Sequence, residues 1–134
     1  MPVQICPACF AILRGAVDRC TACGAKLERF SKRDYRDKLI SALAHPLADV
    51  RMRVIIALGL RGETESADPL LQCALRYPAD VVAALEIVRS LALLNDADAR
   101  QEVLSRLARR HPAHAVRLAA ENALQDAGEE DADH

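Results

Sequence analysis

The sequence predicts a mainly α-helical chain of about three stacked helix pairs, preceded by a small β module organised by cysteines. Three observations carry this. A ring followed by proline recurs at His45-Pro46, Tyr77-Pro78 and His111-Pro112, each time leading into an apolar run. The prolines lie 32 and 34 residues apart, a period typical of stacked units that cannot bury their apolar faces alone. Four of the five cysteines fall into two Cys-x2-Cys pairs near the N-terminus.

Composition suits this reading. Of 134 residues 51% are hydrophobic but only 3% aromatic, so much of the apolar content is Ala, Leu and Val, which suits close-packed helices. The net charge of −1 hides an asymmetry. Residues 1–38 carry eight Lys/Arg against four Asp/Glu, and residues 39–134 carry ten against fifteen. The segment Met1–Cys6 has neither the charged start nor the apolar core of a secretory signal. No apolar run approaches the length of a membrane span. An odd cysteine count with four in paired clusters argues for a reducing compartment rather than a disulfide framework. The expectation is a cytoplasmic protein with no membrane contact.

In the N-terminal module, Cys6-Pro7-Ala8-Cys9 and Cys20-Thr21-Ala22-Cys23 are separated by ten residues. Two residues between cysteines let both thiolates of a tight turn face one ion, and a second such turn completes a tetrahedral all-thiolate site, which favours Zn2+. Arg14-Gly15-Ala16 reads as a hairpin turn between the pairs. About 30 residues cannot build a sufficient core, so metal binding would supply on the order of 10–16 kcal/mol of folding free energy. Redox use of either pair is the rival reading, but neither has a βαβ context. With four cysteines as ligands, no coordination position is left open for hydrolysis. The spacing and the Cys-Pro-x-Cys turn resemble short bacterial zinc ribbons over residues 5–28, with one departure: Phe10 stands where such ribbons carry a second knuckle glycine like Gly24. Cys73 lies in an apolar helical pattern and reads as a small hydrophobe.

The helices follow from periodicity and punctuation. Ser31 and Asp34 form a capping-box-like start to a helix over 32–45, with Leu39, Ile40 and Leu43 inward and Asp34 spaced to pair with Lys38. His45-Pro46 ends it, because the residue before proline is driven out of the α region. A helix over 48–60 turns Val50, Val54, Ala57 and Leu58 inward, and Gly59 and Gly62 release the chain. Ser66 is the N-cap candidate for 67–77, which buries Leu70, Leu71, Ala74 and Leu75. The next helix, 80–94, uses Val81, Leu85, Val88 and Leu91. The last pair spans 97–110, with Val103, Leu104 and Leu107 inward, and 113–127, with Val116, Ala120, Ala123 and Leu124 inward. The acidic tail from Gly128 onward is expected to be disordered. The domain expectation is therefore a ribbon over 1–30, an array over 31–128 and a tail over 129–134.

The pattern His-Pro-x3-Val-Arg, then small and apolar residues ending Ala-Leu, is carried by 45–58 and 111–124. With helix, proline turn and helix at a period near 33, it resembles HEAT-like repeats of the type first described in phycobilisome lyases. The middle copy departs: Pro78 to Val81 is one residue shorter, and Val82 replaces the arginine. The resemblance implies a short right-handed α-solenoid of about three HEAT-like helix pairs behind the small β zinc ribbon. It also implies that second helices line a concave face, which makes Arg53, Glu86, Arg89, Glu121, Asn122 and Gln125 candidates for contacting a protein partner. A hydrogen-bond ladder through Asp49, Arg51 and Arg117, broken at Val82, is a further expectation.

Function is expected to be non-catalytic: a protein–protein interaction adaptor with a structural zinc site. No Ser-His-Asp arrangement, no Cys-His pair outside the zinc frame and no phosphate loop stands in the sequence. Lyase or DNA-glycosylase activity rests on fold analogy alone. His45 and His111 are expected to satisfy helix-end carbonyls, and the Arg106–Arg117 basic cluster to complement helix dipoles. The alternative is contact with nucleic acid through Lys26, Arg29, Lys32, Arg33 and Arg36. Four thiolates on zinc carry about −2 and offset part of that charge, and few rings are available to stack on bases.

Overall fold

The computed structural model describes residues 3–15 and 17–132. Strands β1 (Val3–Ile5) and β2 (Ile12–Arg14) pair antiparallel, with Gln4 opposite Leu13. Six helices follow among the described residues: α1 (Lys32–Ser41), α2 (Ala48–Arg61), α3 (Ala67–Arg76), α4 (Val81–Ala92), α5 (Ala97–Arg110) and α6 (His114–Ala132). They stack as the pairs α1/α2, α3/α4 and α5/α6. The second helices α2, α4 and α6 pack side by side as one layer, and α3 and α5 meet in the other.

Local chemistry sets most boundaries. Ser31 Oγ accepts from the Asp34 N–H at 3.0 Å and the Asp34 carboxylate accepts from the Ser31 N–H at 3.4 Å, a reciprocal cap. That use of Asp34 replaces the expected pairing with Lys38; the ion pairs of this helix run from Arg33 and Arg36 to Asp37. α1 tightens into a 3-10 turn at Ala42–Ala44, and His45 is extended before Pro46. Asp80 caps α4 through the Ala83 N–H, and Asp96 caps α5 through the amides of Asp98 and Ala99. Ser66 caps nothing: a 3-10 turn over Thr64–Ser66 already places it in helical geometry, and its buried hydroxyl has no protein partner. α6 continues to Ala132, past the expected end at 127, because extending an existing helix costs far less than starting one. The tail residues 133–134 lie outside the described residues.

Helix starts define the repeat better than the prolines do. α2, α4 and α6 begin at residues 48, 81 and 114, each 33 after the last. The uneven proline spacing is absorbed in the middle turn, where Pro78 stands three residues before its helix instead of two. In this register the counterpart of Arg51 and Arg117 is the buried Ala84, and the exposed Val82 corresponds to Asp49. Arg51 Nη1 donates to the His45 carbonyl at 2.7 Å, and Arg117 Nη1 donates to the His111 carbonyl at 2.8 Å. Arg100, at the same position of α5, donates to the Leu94 carbonyl at 2.8 Å. Each arginine reaches back six residues and satisfies a turn carbonyl that no backbone amide takes. The expected ladder is thus mostly local. Its one link between units runs from Arg51 to Asp80 at 4.0 Å, with the guanidinium 4.0 Å from the centre of the Tyr77 ring; Asp49 is in no ion pair among the described residues.

The two histidines also act differently from expectation. Their rings accept rather than donate: Nδ1 of His45 takes the Leu47 N–H at 3.1 Å, and Nδ1 of His111 takes the Ala113 N–H at 3.0 Å. Each satisfies an amide leading into the following helix. His111 is 1% exposed, and burial holds its pKa below the ordinary imidazole value against the opposing pull of the Ala74 and Ala113 backbone.

The inward stripes read from the sequence are largely buried, with Leu39, Val54, Leu58, Leu70, Leu71, Leu91, Leu104, Leu107, Val116 and Ala120 among the core. Two assignments change. α4 is covered on more than one side, so Ala83, Ala84 and Ile87 are buried while Val81 and Leu85 are only half-buried. Gly59 does not release the chain; it lies inside α2, where an added Cβ would come within 2.5–2.9 Å of Ser90 Oγ, Cβ and Cα on α4. Gly62 is the true terminator, with φ 64° and its N–H on the Leu58 carbonyl.

Replacing Gly59 by Ala is expected to destabilise the protein by about 1–3 kcal/mol through overpacking, although helix propensity alone favours alanine. Chemical denaturation measures this, and a neutral or stabilised variant would mean α2 and α4 can separate freely. His111 is neutral in the fold and free to protonate once unfolded, so its stabilising contribution is present above its ordinary 6.5 and is lost as pH falls. His111→Asn, which keeps an acceptor for the Ala113 amide, should flatten the fall in stability between about pH 7 and 5; an unchanged slope would place that sensitivity elsewhere.

Candidate metal centre

The cysteine module is one local structure built twice. Cys6 N–H donates to Ala11 O at 3.0 Å and Phe10 N–H to Cys6 O at 2.8 Å; fourteen residues on, Cys20 N–H donates to Ala25 O at 2.9 Å and Gly24 N–H to Cys20 O at 3.0 Å. Amides also point at sulfur, Ala8 N–H at Cys6 Sγ (3.4 Å) and Ala22 N–H at Cys20 Sγ (3.3 Å). Each turn needs a left-handed residue after its second cysteine. Gly24 supplies φ 79°, and Phe10 adopts φ 64° despite its side chain. The departure from the ribbon pattern thus leaves the knuckle geometry intact, at a cost on the order of 1–2 kcal/mol.

The ligand sulfurs of Cys6, Cys9, Cys20 and Cys23 all lie within 4.8 Å of one another, and none is in a disulfide. Cys6 Sγ is 3.7 Å from Cys23 Sγ, and Cys9 Sγ is 3.6 Å from Cys20 Sγ. Tetrahedral bonds of about 2.3 Å to a central ion separate sulfurs by about 3.8 Å, so the four cysteines fit a metal ion. The four thiols influence one another: the Cys23 N–H pulls the Cys20 thiol down to about 6, whereas burial pushes the Cys9 thiol up to about 12 and the Cys23 thiol is also raised. Cys73 stands apart, buried between helices with its thiol on the Leu43 carbonyl.

Residues adjacent to the ligands dock the module on the helices. Ile5 joins the helical core, and both its backbone groups bond the Tyr35 hydroxyl of α1. The Phe10 ring packs on the same core and meets His45 edge-on, centroids 5.9 Å apart. The sequence marked Phe10 as an anomaly; only the fold reveals what its ring touches.

The other candidates separate. Arg89 and Asn122 line a groove of ≈ 490 Å³ between α4 and α6, together with Leu85, Val88, Arg100 and Asp126. Glu86 pairs with Arg89 at 3.8 Å. Arg53 is half-buried on α2, and Glu121 and Gln125 are exposed on α6 outside that groove. Of the basic stretch, Arg36 is occupied by Glu63 at 3.2 Å, Asp37 at 3.5 Å and Glu65 at 3.6 Å, and Arg33 pairs with Asp37 at 3.8 Å. Lys26 is half-buried; Arg29 and Lys32 are exposed and in no ion pair among the described residues. Unforeseen were the exposed leucines Leu60 and Leu93, equivalent by the 33-residue register. Their spacing is a signal the sequence did contain.

Fold and site together define a helical-repeat protein bearing four clustered cysteines that could hold a metal ion. Comparison with known families matches residues 16–87, more than half the chain, to HEAT repeats, and the protein belongs to that family. No curated protein and no solved structure matches it. Among the described residues no helix is long and apolar enough to cross a membrane.

Cys9→Ser should abolish stoichiometric metal and make the first 30 or so residues protease-sensitive, whereas Phe10→Ala should retain the metal and lose only the resistance. Metal analysis beside limited proteolysis separates the two; a Cys9→Ser protein still holding a full equivalent of metal would exclude the four-thiolate site.

Proposed function

We propose that the protein is a non-catalytic, cytoplasmic interaction adaptor whose second-helix layer receives a protein partner and whose cysteines hold a structural zinc ion. The observation that carries the adaptor reading is where apolar surface remains uncovered. Outside the cysteine module, every large hydrophobic exposed among the described residues lies on a second helix or at its end: Leu47 before α2, Ile56 and Leu60 on it, Val82 on α4, Leu93 at its end, and Leu118 on α6. None lies on α1, α3 or α5. Isolated exposed leucines need no explanation, but restriction to one layer does. In register, Leu60 and Leu93 stand at one level with Asp126, and Ile56, Arg89 and Asn122 at the next, so apolar side chains are interspersed with polar ones across the layer. Stacked helical units present such extended surfaces with little ordering cost.

Zinc is favoured over iron by the structural economy of the site: a closed, redox-silent ion suffices where the metal's task is to fold a module too small to fold by itself. The nucleic-acid reading draws less support, since Arg36 and Arg33 are engaged by carboxylates.

Affinity capture from native extract, with and without nuclease, tests the adaptor reading when run beside a Leu93→Asp/Leu118→Asp variant. A protein retained after nuclease and lost with the variant is the expected result. An identical set captured by both proteins, or nucleic acid alone, would overturn it. Metal analysis of the purified chain should give one equivalent of zinc, and stoichiometric iron would replace that assignment.

A further inference from the structure

The cysteine module, the start of α1 and α2 line an open groove of ≈ 330 Å³, separate from the one between α4 and α6. Leu27, Phe30, Ala57 and Leu60 supply its apolar lining, and Lys32 and Arg61 its cations. Leu60 is 69% exposed and Phe30 half-buried, so both offer apolar surface to an incoming side chain. Arg61 is fixed in place: it pairs with Glu63, donates to the Lys32 carbonyl at 3.2 Å and lies 4.9 Å from the centre of the Tyr35 ring.

Arg61 is balanced by Glu63, but Lys32 is in no ion pair among the described residues and the stretch around it is net positive. Nearby acids are committed elsewhere, Asp34 to the helix cap and Asp37 to Arg33 and Arg36. Residues 26–32 hold Lys26, Arg29 and Lys32 against Glu28 alone, and Arg29 and Lys32 are exposed and in no ion pair among the described residues. An apolar slot with the unpaired Lys32 on its wall, and the exposed Arg29 next in sequence to its lining residue Phe30, fits an apolar side chain with carboxylates beside it. It does not fit stacked bases. Phe30 is the one available ring, because the Tyr35 hydroxyl is bound to Ile5 and its ring is covered by Arg61.

We propose that this groove docks an acidic peptide segment of a protein partner, with one apolar side chain against Phe30 and Leu60 and carboxylates over Arg29 and Lys32. The inference rests on the adaptor reading and shares Leu60 with that layer, but neither Leu93 nor Leu118 lines this groove.

The test is fluorescence anisotropy on the full, metal-loaded chain. The probes are short labelled peptides with a central leucine flanked by Asp/Glu, by Ser/Gln or by Lys/Arg, with oligouridylate as competitor. The acidic peptide should bind about tenfold tighter than the neutral one, and the preference should weaken with salt. Arg29→Glu/Lys32→Glu, both at exposed positions, should invert the order in favour of the basic peptide. Leu60→Ser should weaken the acidic peptide about tenfold. Leu93→Asp/Leu118→Asp should leave it unchanged. Binding indifferent to flanking charge, a preference that survives the charge reversal, or oligouridylate displacing the acidic peptide would each overturn the proposal. If no peptide binds while protein capture still depends on Leu93 and Leu118, this inference falls and the adaptor reading stands.

Discussion

The crossing of α2 and α4 is the contact on which the other features depend. Gly59 leaves no side chain between the helices, so the Ser90 hydroxyl comes in close enough to donate to the Ile55 carbonyl at 2.9 Å within the core. A buried hydroxyl without such an acceptor would cost on the order of 1–3 kcal/mol, so close approach and hydrogen bond require each other. This crossing holds the middle helix against the first unit, and α4 in turn carries α6. The alignment of Leu60 with Leu93, and the groove between α4 and α6, follow from it.

The cysteine module plays its part at the other edge of the same layer. A repeat array leaves its first unit with an uncovered end, which needs a different kind of structure to close it. Here the residues beside two of the clustered cysteines do the covering: Ile5 next to Cys6, and Phe10 next to Cys9. The left-handed backbone at Phe10 carries a steric cost that a glycine would avoid. The ring offsets it by packing on the helical core and on His45, so the module is held by its seat on the array.

The His-Pro turns combine two economies. Proline stops one helix and leaves a carbonyl and an amide without partners. The arginine six residues on takes the carbonyl, and the histidine ring takes the amide. In the middle unit, with tyrosine before the proline, Asp80 caps the helix instead, and the Tyr77 ring receives Arg51 from the preceding unit. The middle turn, which departs from the pattern of the other two, is therefore a junction between units.

The sequence by itself determined the helices, most of their boundaries to within a few residues, the inward stripe of most of them and the cluster of four cysteines. These follow from local rules: proline and glycine stop helices, periodicity marks buried faces, and Cys-x2-Cys spacing builds a knuckle. The β hairpin was not determined this way: its strands pair across the first knuckle rather than around Arg14 and Gly15. Tertiary structure decided what depends on neighbours distant in sequence. It made Gly59 a packing residue, buried Ser66 where a cap was expected, and closed Arg36 off among carboxylates at Glu63 and Glu65. It also reset the register of the middle unit, since a turn absorbs an extra residue at little cost while packed helices cannot shift. Which leucines stay exposed was decided the same way, because a face is free only when no other helix covers it.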